Sequence, residues 1–375
     1  MVFLNKISLF VLIYFLSFIF IREIISNYQQ WVPNRLFVNH NQYNHTLSPN
    51  FPPDVIHDDD HDIAKEYKIN SLGLRENDEI ILPKPEKEFR IFVVGDSFIS
   101  ANPNLIAQLE SNLNKVFGND QITFNVINCG ISSYSALLHL SRLKHQLLDL
   151  DPDAIIYFPD LTDVYDDTHR YLWLSEFDKK GKLVRVKAST RILRAKRRHK
   201  RQINYFLSKI EISNQNLRDV RTSVIGRYHH IFDHAKENIS KLSKYTKQEL
   251  NFTLGFIKDY IEITKSNQIH LSISMYPHLP QIVPENEVYR TDMDSLYNRI
   301  FEKRVLSLSQ KENIFFKSFY EPISQSVLSN KRLYLSNDMH FNAYGFDYLA
   351  ELVTEWVVRN PQKSIGFSPQ KIRFP

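Results

Sequence analysis

Cysteine is almost absent from this chain, which has one such residue, Cys129, in 375. A single cysteine excludes an internal disulfide framework and a zinc site built from cysteines. Because Cys129 lies in an apolar stretch, we interpret it as a small core residue. Internal repeats and low-complexity blocks are also lacking. With 43% hydrophobic and 13% aromatic residues, the chain has ample material for a core, and its length fits one large or two ordinary domains.

Acidic residues are missing from one long segment. Residues 179–210 contain thirteen Lys and Arg and no Asp or Glu, although the formal net charge of the whole chain is only +5. The basic character therefore belongs to this segment and not to the protein as a whole. In its second half, apolar residues recur at helical spacing, which predicts an amphipathic helix. These residues are Ile203, Phe206, Leu207 and Ile210.

Three roles are open for the basic segment 179–210. It can lie on anionic lipid headgroups, form a lid that recruits an anionic glycan, or pack on the sheet through its apolar stripe as a solvated helix. Nucleic-acid binding is not expected, because no recognition motif accompanies the charge.

The amino terminus carries an uncharged apolar run from Ile7 to Ile21, with Lys6 before it and Arg22 after it. At about 1.5 Å per residue this run alone is shorter than a hydrocarbon core of about 30 Å, but neighbouring apolar residues extend it. We predict an uncleaved membrane anchor over residues 1–25, in a single-pass protein whose main domain is extracytoplasmic. A cleaved signal peptide is the alternative, but no small-residue cleavage pattern follows the run.

Residues 26–66 contain several prolines and many Asn and His and show neither helical nor strand periodicity, so we predict an extended linker. Within it, residues 57–62 read His-Asp-Asp-Asp-His-Asp, a composition that suits a hard cation or zinc. Consecutive ligands on a flexible loop rarely converge on one ion, so a solvated acidic loop is favoured. We therefore expect no metal and no other cofactor.

Apolar runs and helical periodicities alternate along residues 67–360. Predicted strands end near Val94, Asn128, Phe158, Met275 and Phe319. Predicted helices cover about 104–117, 137–148, 241–266, 291–311 and 343–357. This alternation is typical of a mainly parallel sheet with right-handed crossovers, and it predicts an α/β fold with three α/β/α layers. A basic helical insertion at about 165–240 interrupts the domain, and residues 361–375 are predicted to form a tail.

The stretch RIFVVGDSFIS, residues 90–100, places a serine where the first of these strands stops. Gly95 and Asp96 form the turn, and Ser97 stands at the carboxyl edge of the sheet, where ligands of open α/β sheets bind. Ser97 is therefore a candidate nucleophile. From this stretch alone, a plain strand-to-helix turn with Ser97 as the helix cap is the alternative.

An activated serine needs a base, a group that orients the base, and donors for the oxyanion. His340, just before the last helix, is the candidate base, with Asp338 or Asn337 close enough in sequence to orient it. The candidate oxyanion donors follow the ends of three predicted strands and are the N–H groups of Ser97 and Gly130 and the side chain of Thr162.

These motifs resemble those of the bacterial SGNH (GDSL-type) hydrolase family. Gly95-Asp96-Ser97 resembles its nucleophile block, and Asn128-Cys129-Gly130 resembles its glycine block. Leu161-Thr162-Asp163 falls where the family carries Gly-x-Asn-Asp, and residues 337–340 fall where it carries Asp-x-x-His. The resemblance implies an SGNH fold, similar to the flavodoxin-like arrangement, and a serine ester hydrolase.

Two positions depart from the family pattern. Thr162 stands where the family's asparagine donates to the oxyanion, and loss of such a donor costs about 10²–10³-fold in turnover in serine hydrolases. Asn337, not aspartate, lies three residues before His340, with Asp338 two before, and an amide stabilises an imidazolium less well than a carboxylate does. A G-x-S-x-G motif, which an α/β-hydrolase elbow would need, is not present.

The leading hypothesis is a membrane-anchored acyl or acetyl esterase that acts on cell-surface polysaccharide or lipid esters. Its expected partners are the ester substrate and the membrane, through the N-terminal helix and the basic segment. Three alternatives remain: an O-acetyltransferase, a catalytically weakened accessory protein that binds a glycan or a membrane, and a metal-dependent enzyme that uses residues 57–62. In a purely structural interpretation, Ser97, Gly130 and His340 are a cap, a turn and a core histidine.

Overall fold

The computed structural model describes residues 37–51, 68–76, 78–188, 244–282, 299–335 and 340–369. Several predictions fall outside these ranges: the membrane anchor at 1–25, the acidic cluster at 57–62, the basic residues from 189 onward, and the orienting residues Asn337 and Asp338. Among the residues that are described, no helix is long and apolar enough to span a membrane.

A five-stranded sheet forms the centre of the molecule, and every neighbouring pair of its strands is parallel. The strands within the described ranges are β1 (Phe37–His40), β2 (Asn44–Leu47), β3 (Glu88–Val94), β4 (Thr123–Asn128), β5 (Ala154–Tyr157), β6 (Ser175–Phe177), β7 (Leu183–Val186), β8 (His270–Met275) and β9 (Phe315–Ser318). The central sheet has the order β4-β3-β5-β8-β9. The chain passes from β3 to β4 on one side of β3 and then crosses to β5 on its other side. This reversal opens a crevice at the carboxyl ends of β3 and β5.

The helices are α1 (Ser97–Ser100), α2 (Pro103–Phe117), α3 (Ala136–Arg142), α4 (Asp163–Asp166), α5 (Lys244–Ser266), α6 (Leu279–Ile282), α7 (Ile300–Lys311), α8 (Tyr320–Leu328), α9 (Ala343–Arg359) and α10 (Pro361–Ile365). Helix α2 packs against α9 on one face of the sheet, and α3 packs against α5 on the other. The predicted three-layer α/β/α architecture is confirmed.

Local sequence explains the first long helix. The Asn102 side chain accepts the Leu105 N–H at 3.1 Å, and a proline at the first helical position is already suited to the helix. Leu105, Leu109 and Leu113 recur every four residues and have no exposed surface, so this face of α2 seals one side of the sheet. Strand residues Ile91 to Val94 are also fully buried, as expected for a strand covered on both faces.

The prediction of an extended linker over residues 26–66 is wrong for residues 37–51. Here β1 and β2 pair as an antiparallel hairpin, and Tyr43 between them is buried. The hairpin is held by distant segments, since the Tyr134 hydroxyl donates to the His45 carbonyl at 2.5 Å. Local periodicity does not encode such contacts.

The first part of the predicted helical insertion has mixed structure. Helical turns continue from α4 to residue 174, and then β6 and β7 form an antiparallel hairpin. In β7 the buried residues are Leu183 and Val186, while Val184 is exposed. The prediction of helix is therefore wrong for residues 175–188, because the apolar residues there pack a strand onto the domain.

The domain also continues past residue 360. Helix α10 ends at Ile365, which is fully buried. His270 Nε2 donates to the Lys363 carbonyl at 2.9 Å. The prediction of a tail from 361 is wrong for residues 361–369, which pack against the start of β8.

Candidate active site

Ser97 lies at the point where β3 gives way to α1. Asp96 caps this helix, because its Oδ1 accepts the Phe98 N–H at 3.0 Å. Gly95 permits the sharp turn, since a Cβ there would lie 2.4 Å from Ile99 Cγ1. Ser97 itself is only half-buried, so its hydroxyl is accessible at the carboxyl edge of the sheet.

His340 meets Ser97 although 243 residues separate them in sequence. Its Nε2 lies 2.7 Å from Ser97 Oγ, and its ring packs on the Phe98 ring with centroids 4.9 Å apart. The loop that carries it is fixed on both sides, since the Leu335 N–H donates to the His340 carbonyl at 3.0 Å and Asn342 caps α9. The structure thus brings the predicted nucleophile and base within hydrogen-bond distance.

The group that orients the His340 ring stays a prediction, because Asn337 and Asp338 lie outside the described residues. A different carboxylate lies next to the serine: Asp96 Oδ2 is 3.3 Å from Ser97 Oγ. The serine hydroxyl therefore has two acceptors within reach, and the shorter contact is to the imidazole.

Gly130 lies directly against α1. A Cβ at this position would lie 2.4 Å from the Ser100 backbone nitrogen, so only glycine lets the loop after β4 approach the nucleophile's helix so closely. The Gly130 N–H donates to Asn128 Oδ1 at 2.9 Å. The residue is thus adjacent to the nucleophile's turn, but its N–H already has an acceptor, and its role as an oxyanion donor stays a prediction.

Thr162 donates twice to a single oxygen. Its N–H and its Oγ1 lie 2.7 and 2.6 Å from Asp160 Oδ1, and the whole residue is buried. Its hydroxyl would have to leave this carboxylate to reach an oxyanion. Of the predicted donors, only the Ser97 N–H has no acceptor within the described part of the chain.

Asp160 is the centre of a buried network that sequence reasoning missed. Its Oδ2 accepts from His278 Nε2 at 2.6 Å and from the Tyr276 hydroxyl at 3.2 Å. The same hydroxyl lies 3.1 Å from Asp96 Oδ1, so the network reaches the residue before Ser97. All four side chains are buried. The sequence signal is weak: Asp160 follows β5, while Tyr276 and His278 follow β8, its neighbour in the sheet.

The two carboxyl groups of this network differ in pKa. Burial, reinforced by the nearby Asp160 charge, raises the pKa of Asp96 to about 7. Burial also acts to raise the pKa of Asp160, but the His278 charge and the hydrogen bonds from His278 and Thr162 outweigh it and hold that pKa well below its usual range. Near neutral pH, Asp160 is therefore a carboxylate paired with His278, and Asp96 divides between its two protonation states.

Cys129 is buried in the core, as predicted, and burial raises the pKa of its thiol to about 12. This thiol is therefore not an alternative nucleophile. In the ranges that the structure covers, no group of three or more His, Cys, Asp or Glu is arranged to hold a metal ion. The acidic cluster at 57–62 lies outside those ranges.

No family model matches the chain, and no curated protein matches it. Solved structures do match. The acetyl xylan esterase AlAXEase is 12% identical, with a TM-score of 0.41 over 72% of this chain and 98% of that one. A GDSL-like lipase from Bacteroides thetaiotaomicron is 14% identical, with a TM-score of 0.39 over 74% of this chain and 92% of that one. An acetylxylan esterase from Geobacillus stearothermophilus is 12% identical, with a TM-score of 0.40 over 76% of this chain and 97% of that one.

Sequence motifs and geometry agree in this molecule. A Gly-Asp-Ser turn follows the first strand of a parallel sheet, a glycine loop after the next strand packs on the serine's helix, and a histidine just before α9 reaches the serine hydroxyl. In fold, motif order and the placement of its Ser–His pair, the chain resembles the SGNH (GDSL-type) hydrolases.

Proposed function

We propose that this protein is a serine ester hydrolase in which Ser97 is the nucleophile and His340 is the general base. The observation that carries the proposal is the 2.7 Å contact between Ser97 Oγ and His340 Nε2. A serine hydroxyl becomes an effective nucleophile when an adjacent base takes its proton during attack. The pair lies at the carboxyl edge of the sheet, beside the crevice between β3 and β5, where open α/β sheets bind ligands.

The reaction follows from these positions. His340 Nε2 takes the proton as Ser97 Oγ bonds to the ester carbonyl carbon, and the imidazolium then protonates the departing alcohol. Water, deprotonated by the same nitrogen, attacks the acyl-enzyme. The bond between the acyl carbon and Ser97 Oγ then breaks, Ser97 Oγ takes the proton back from the imidazolium, and the acid is released. The Ser97 N–H stabilises the oxyanion, joined by Gly130 and Thr162 once they exchange their present acceptors for the substrate oxygen.

The substrate proposal is an acetyl ester carried by a glycan. Among the matched solved structures, several are named for acetylated xylan, and one for activity on acetylated mannans. If an alcohol replaces water in the second step, the same site is an O-acetyltransferase. Product analysis separates the two, because only hydrolysis releases free acetate.

Fluorophosphonate labelling and hydrolysis of a short-chain aryl ester test the proposal. The wild-type protein should be labelled at Ser97, and Ser97→Ala should abolish labelling and lower turnover by about 10⁴-fold or more, as loss of the nucleophile does in serine hydrolases. Ser100→Ala is the matched control, because Ser100 lies in the same helix and is buried. Labelling that persists in Ser97→Ala would refute the assignment.

A second candidate function is that of a catalytically weakened accessory protein. The observation that favours it is that the Gly130 N–H and both Thr162 donors already have protein acceptors. A binding role should survive Ser97→Ala, whereas a hydrolase role should not.

We also propose that residues 1–25 anchor the protein in a membrane. Fractionation of cells that express the full chain or a chain lacking these residues tests this. The shortened chain should move to the soluble fraction. Membrane retention of the shortened chain would contradict the proposal.

A further inference from the structure

A pocket of about 340 Å³ lies at the same edge of the sheet as the Ser97–His340 pair. We call it the flank pocket. Its walls come from the β1–β2 hairpin, the loop after Gly130 and the helical turns at residues 170–174. Its volume is at the lower end of the range of small-molecule sites, about 300–1,000 Å³. The proposed reaction uses none of its side chains.

The inner wall of the flank pocket is bonded to the nucleophile's turn. The Ile131 N–H donates to the Gly95 carbonyl at 3.0 Å, and the next two residues, Ser132 and Ser133, line the pocket. A substrate whose ester lies at Ser97 can therefore extend along this loop into the pocket.

Aromatic side chains form the outer wall. Trp173 is 43% exposed and Phe37 is 37% exposed, and both line the pocket with Tyr171. Flat aromatic faces of this kind stack against the C–H faces of pyranose rings. Asn39 and Asn44 lie in the same wall. The Asn44 amide bonds the Lys187 carbonyl at 2.8 Å and His45 Nδ1 at 2.9 Å, and since an amide has two N–H groups and two oxygen lone pairs, it keeps one of each for a ring hydroxyl.

The charges of the described lining residues favour a neutral ligand over an anionic one. Among the described lining residues, Arg170 is the only Lys, Arg, Asp or Glu. Its Nη1 lies 2.7 Å from Asp166 Oδ2, and its guanidinium lies over the Tyr171 ring at 5.2 Å. The guanidinium charge is thus paired with a carboxylate, and apart from His45 the other polar side chains of the described wall are uncharged amides and hydroxyls.

Hydrogen bonds hold the pocket in shape. The Tyr171 hydroxyl donates to the Ser133 carbonyl at 2.6 Å, and the His45 ring bridges the Ser132 carbonyl at 3.2 Å and Asn44 Oδ1 at 2.9 Å. A ligand would therefore enter a preformed site with little loss of side-chain freedom.

We propose that the flank pocket binds a neutral sugar ring of an O-acetylated glycan and that stacking on Trp173 is its main contact. This inference rests on the proposed esterase function, which it deepens by naming the part of the substrate beyond the ester. The pocket then selects glycan esters over small esters, because a small ester bound at Ser97 has no sugar ring to place against Trp173.

Kinetics on two substrates test the inference. With partially O-acetylated xylohexaose, Trp173→Ala should raise KM roughly tenfold, while KM and kcat for p-nitrophenyl acetate stay unchanged. Trp173→Phe, which keeps a flat ring, should restore most of the loss. Phe177→Ala is the control, because Phe177 is similarly exposed, at 37%, and is not among the residues that line the pocket. Equal losses on both substrates, or no loss on either, would overturn the inference.

A binding measurement separates this inference from the hydrolase proposal. Full-length Ser97→Ala with Trp31→Phe is titrated with xylohexaose, mannopentaose and cellopentaose while tryptophan fluorescence is followed. Trp356 is 6% exposed, so a saturable change should come from Trp173 and should vanish in Trp173→Ala.

Each outcome of the titration decides one proposal. If Ser97→Ala binds one of the sugars but the wild-type protein has no esterase activity, the sugar-binding inference stands and the hydrolase proposal is refuted. If the wild-type protein has esterase activity but Ser97→Ala binds none of the three sugars, the sugar-binding inference is overturned and the hydrolase proposal stands. If Trp173→Ala instead impairs only p-nitrophenyl laurate, the pocket holds an acyl chain, and the inference is likewise overturned.

Discussion

Replacing His278 by phenylalanine should destabilise the protein, and more at alkaline than at acidic pH. The change removes a hydrogen-bond donor of Asp160, whose carboxylate is buried and accepts from His278 Nε2 at 2.6 Å. Loss of a hydrogen bond to a charged group costs about 1.5–3 kcal/mol. Because Thr162 and Tyr276 still donate to this carboxylate, we expect the lower end of that range, about 1.5 kcal/mol at pH 8.

The pH dependence follows from what lowers the pKa of Asp160. In the wild type the His278 charge outweighs burial. In His278→Phe burial prevails, and the folded-state pKa of Asp160 rises above its unfolded value. A raised carboxyl pKa favours the folded state below the unfolded pKa and this advantage is lost as pH rises. The deficit relative to wild type should therefore shrink between pH 8 and pH 5.5.

Urea denaturation followed by circular dichroism at both pH values measures this deficit. His139→Phe is the control: burial and the Arg142 charge lower the pKa of His139 to about 3, so it is neutral at either pH and its replacement should cost the same at both. Adding Asp160→Asn to His278→Phe should recover stability at pH 8. A deficit below about 0.5 kcal/mol, or one that does not change with pH, would refute this reasoning.

Three further changes test the neighbouring residues. Gly130→Ala should cost about 1–3 kcal/mol and lower kcat, because the added Cβ would lie 2.4 Å from a backbone nitrogen of α1; Gly255→Ala, where nothing lies within 4 Å of the new Cβ, should be neutral or stabilising by urea denaturation. Thr162→Val should cost about 1.5–3 kcal/mol through loss of a hydrogen bond to the Asp160 carboxylate, and a loss below about 0.5 kcal/mol would contradict that bond. Burial raises the pKa of Glu76 to about 8, so the wild type loses stability as pH rises toward 9 and Glu76→Gln should lose less; parallel pH profiles in thermal denaturation would count against this.

The sequence was enough to predict the α/β order and the meeting of Ser97 with His340. Buried parallel strands appear as apolar runs, and a parallel sheet places their carboxyl ends at one edge. The pairing of Asp160 with His278 could not be predicted in this way. It depends on β5 and β8 being neighbours in the sheet, which is a property of the whole fold and not of either segment.

The segments whose structure differs from the prediction are all ordered by contacts with distant parts of the chain. The β1–β2 hairpin and β7 lack a clear alternation of apolar and polar residues, and they are ordered by each other: the Val186 N–H donates to the Gln42 carbonyl at 2.7 Å. Residues 361–369 belong to the predicted tail. They are ordered by burial of Ile365, and this burial depends on contact with the folded domain and not on the local sequence.

The Tyr276 hydroxyl has one hydrogen and two carboxyl neighbours, Asp96 and Asp160. When Asp96 is protonated, its acid hydrogen can point to the tyrosine oxygen while the tyrosine hydrogen points to Asp160. When Asp96 ionises, that directional chain loses a proton, and the tyrosine hydrogen serves only one of the two carboxylates, which keep their donors from Phe98 and His278. The residues that follow β3, β5 and β8 are therefore coupled through the hydrogens of this network. A change in the protonation of the network alters the hydrogen bonding of Asp96, the residue that precedes Ser97.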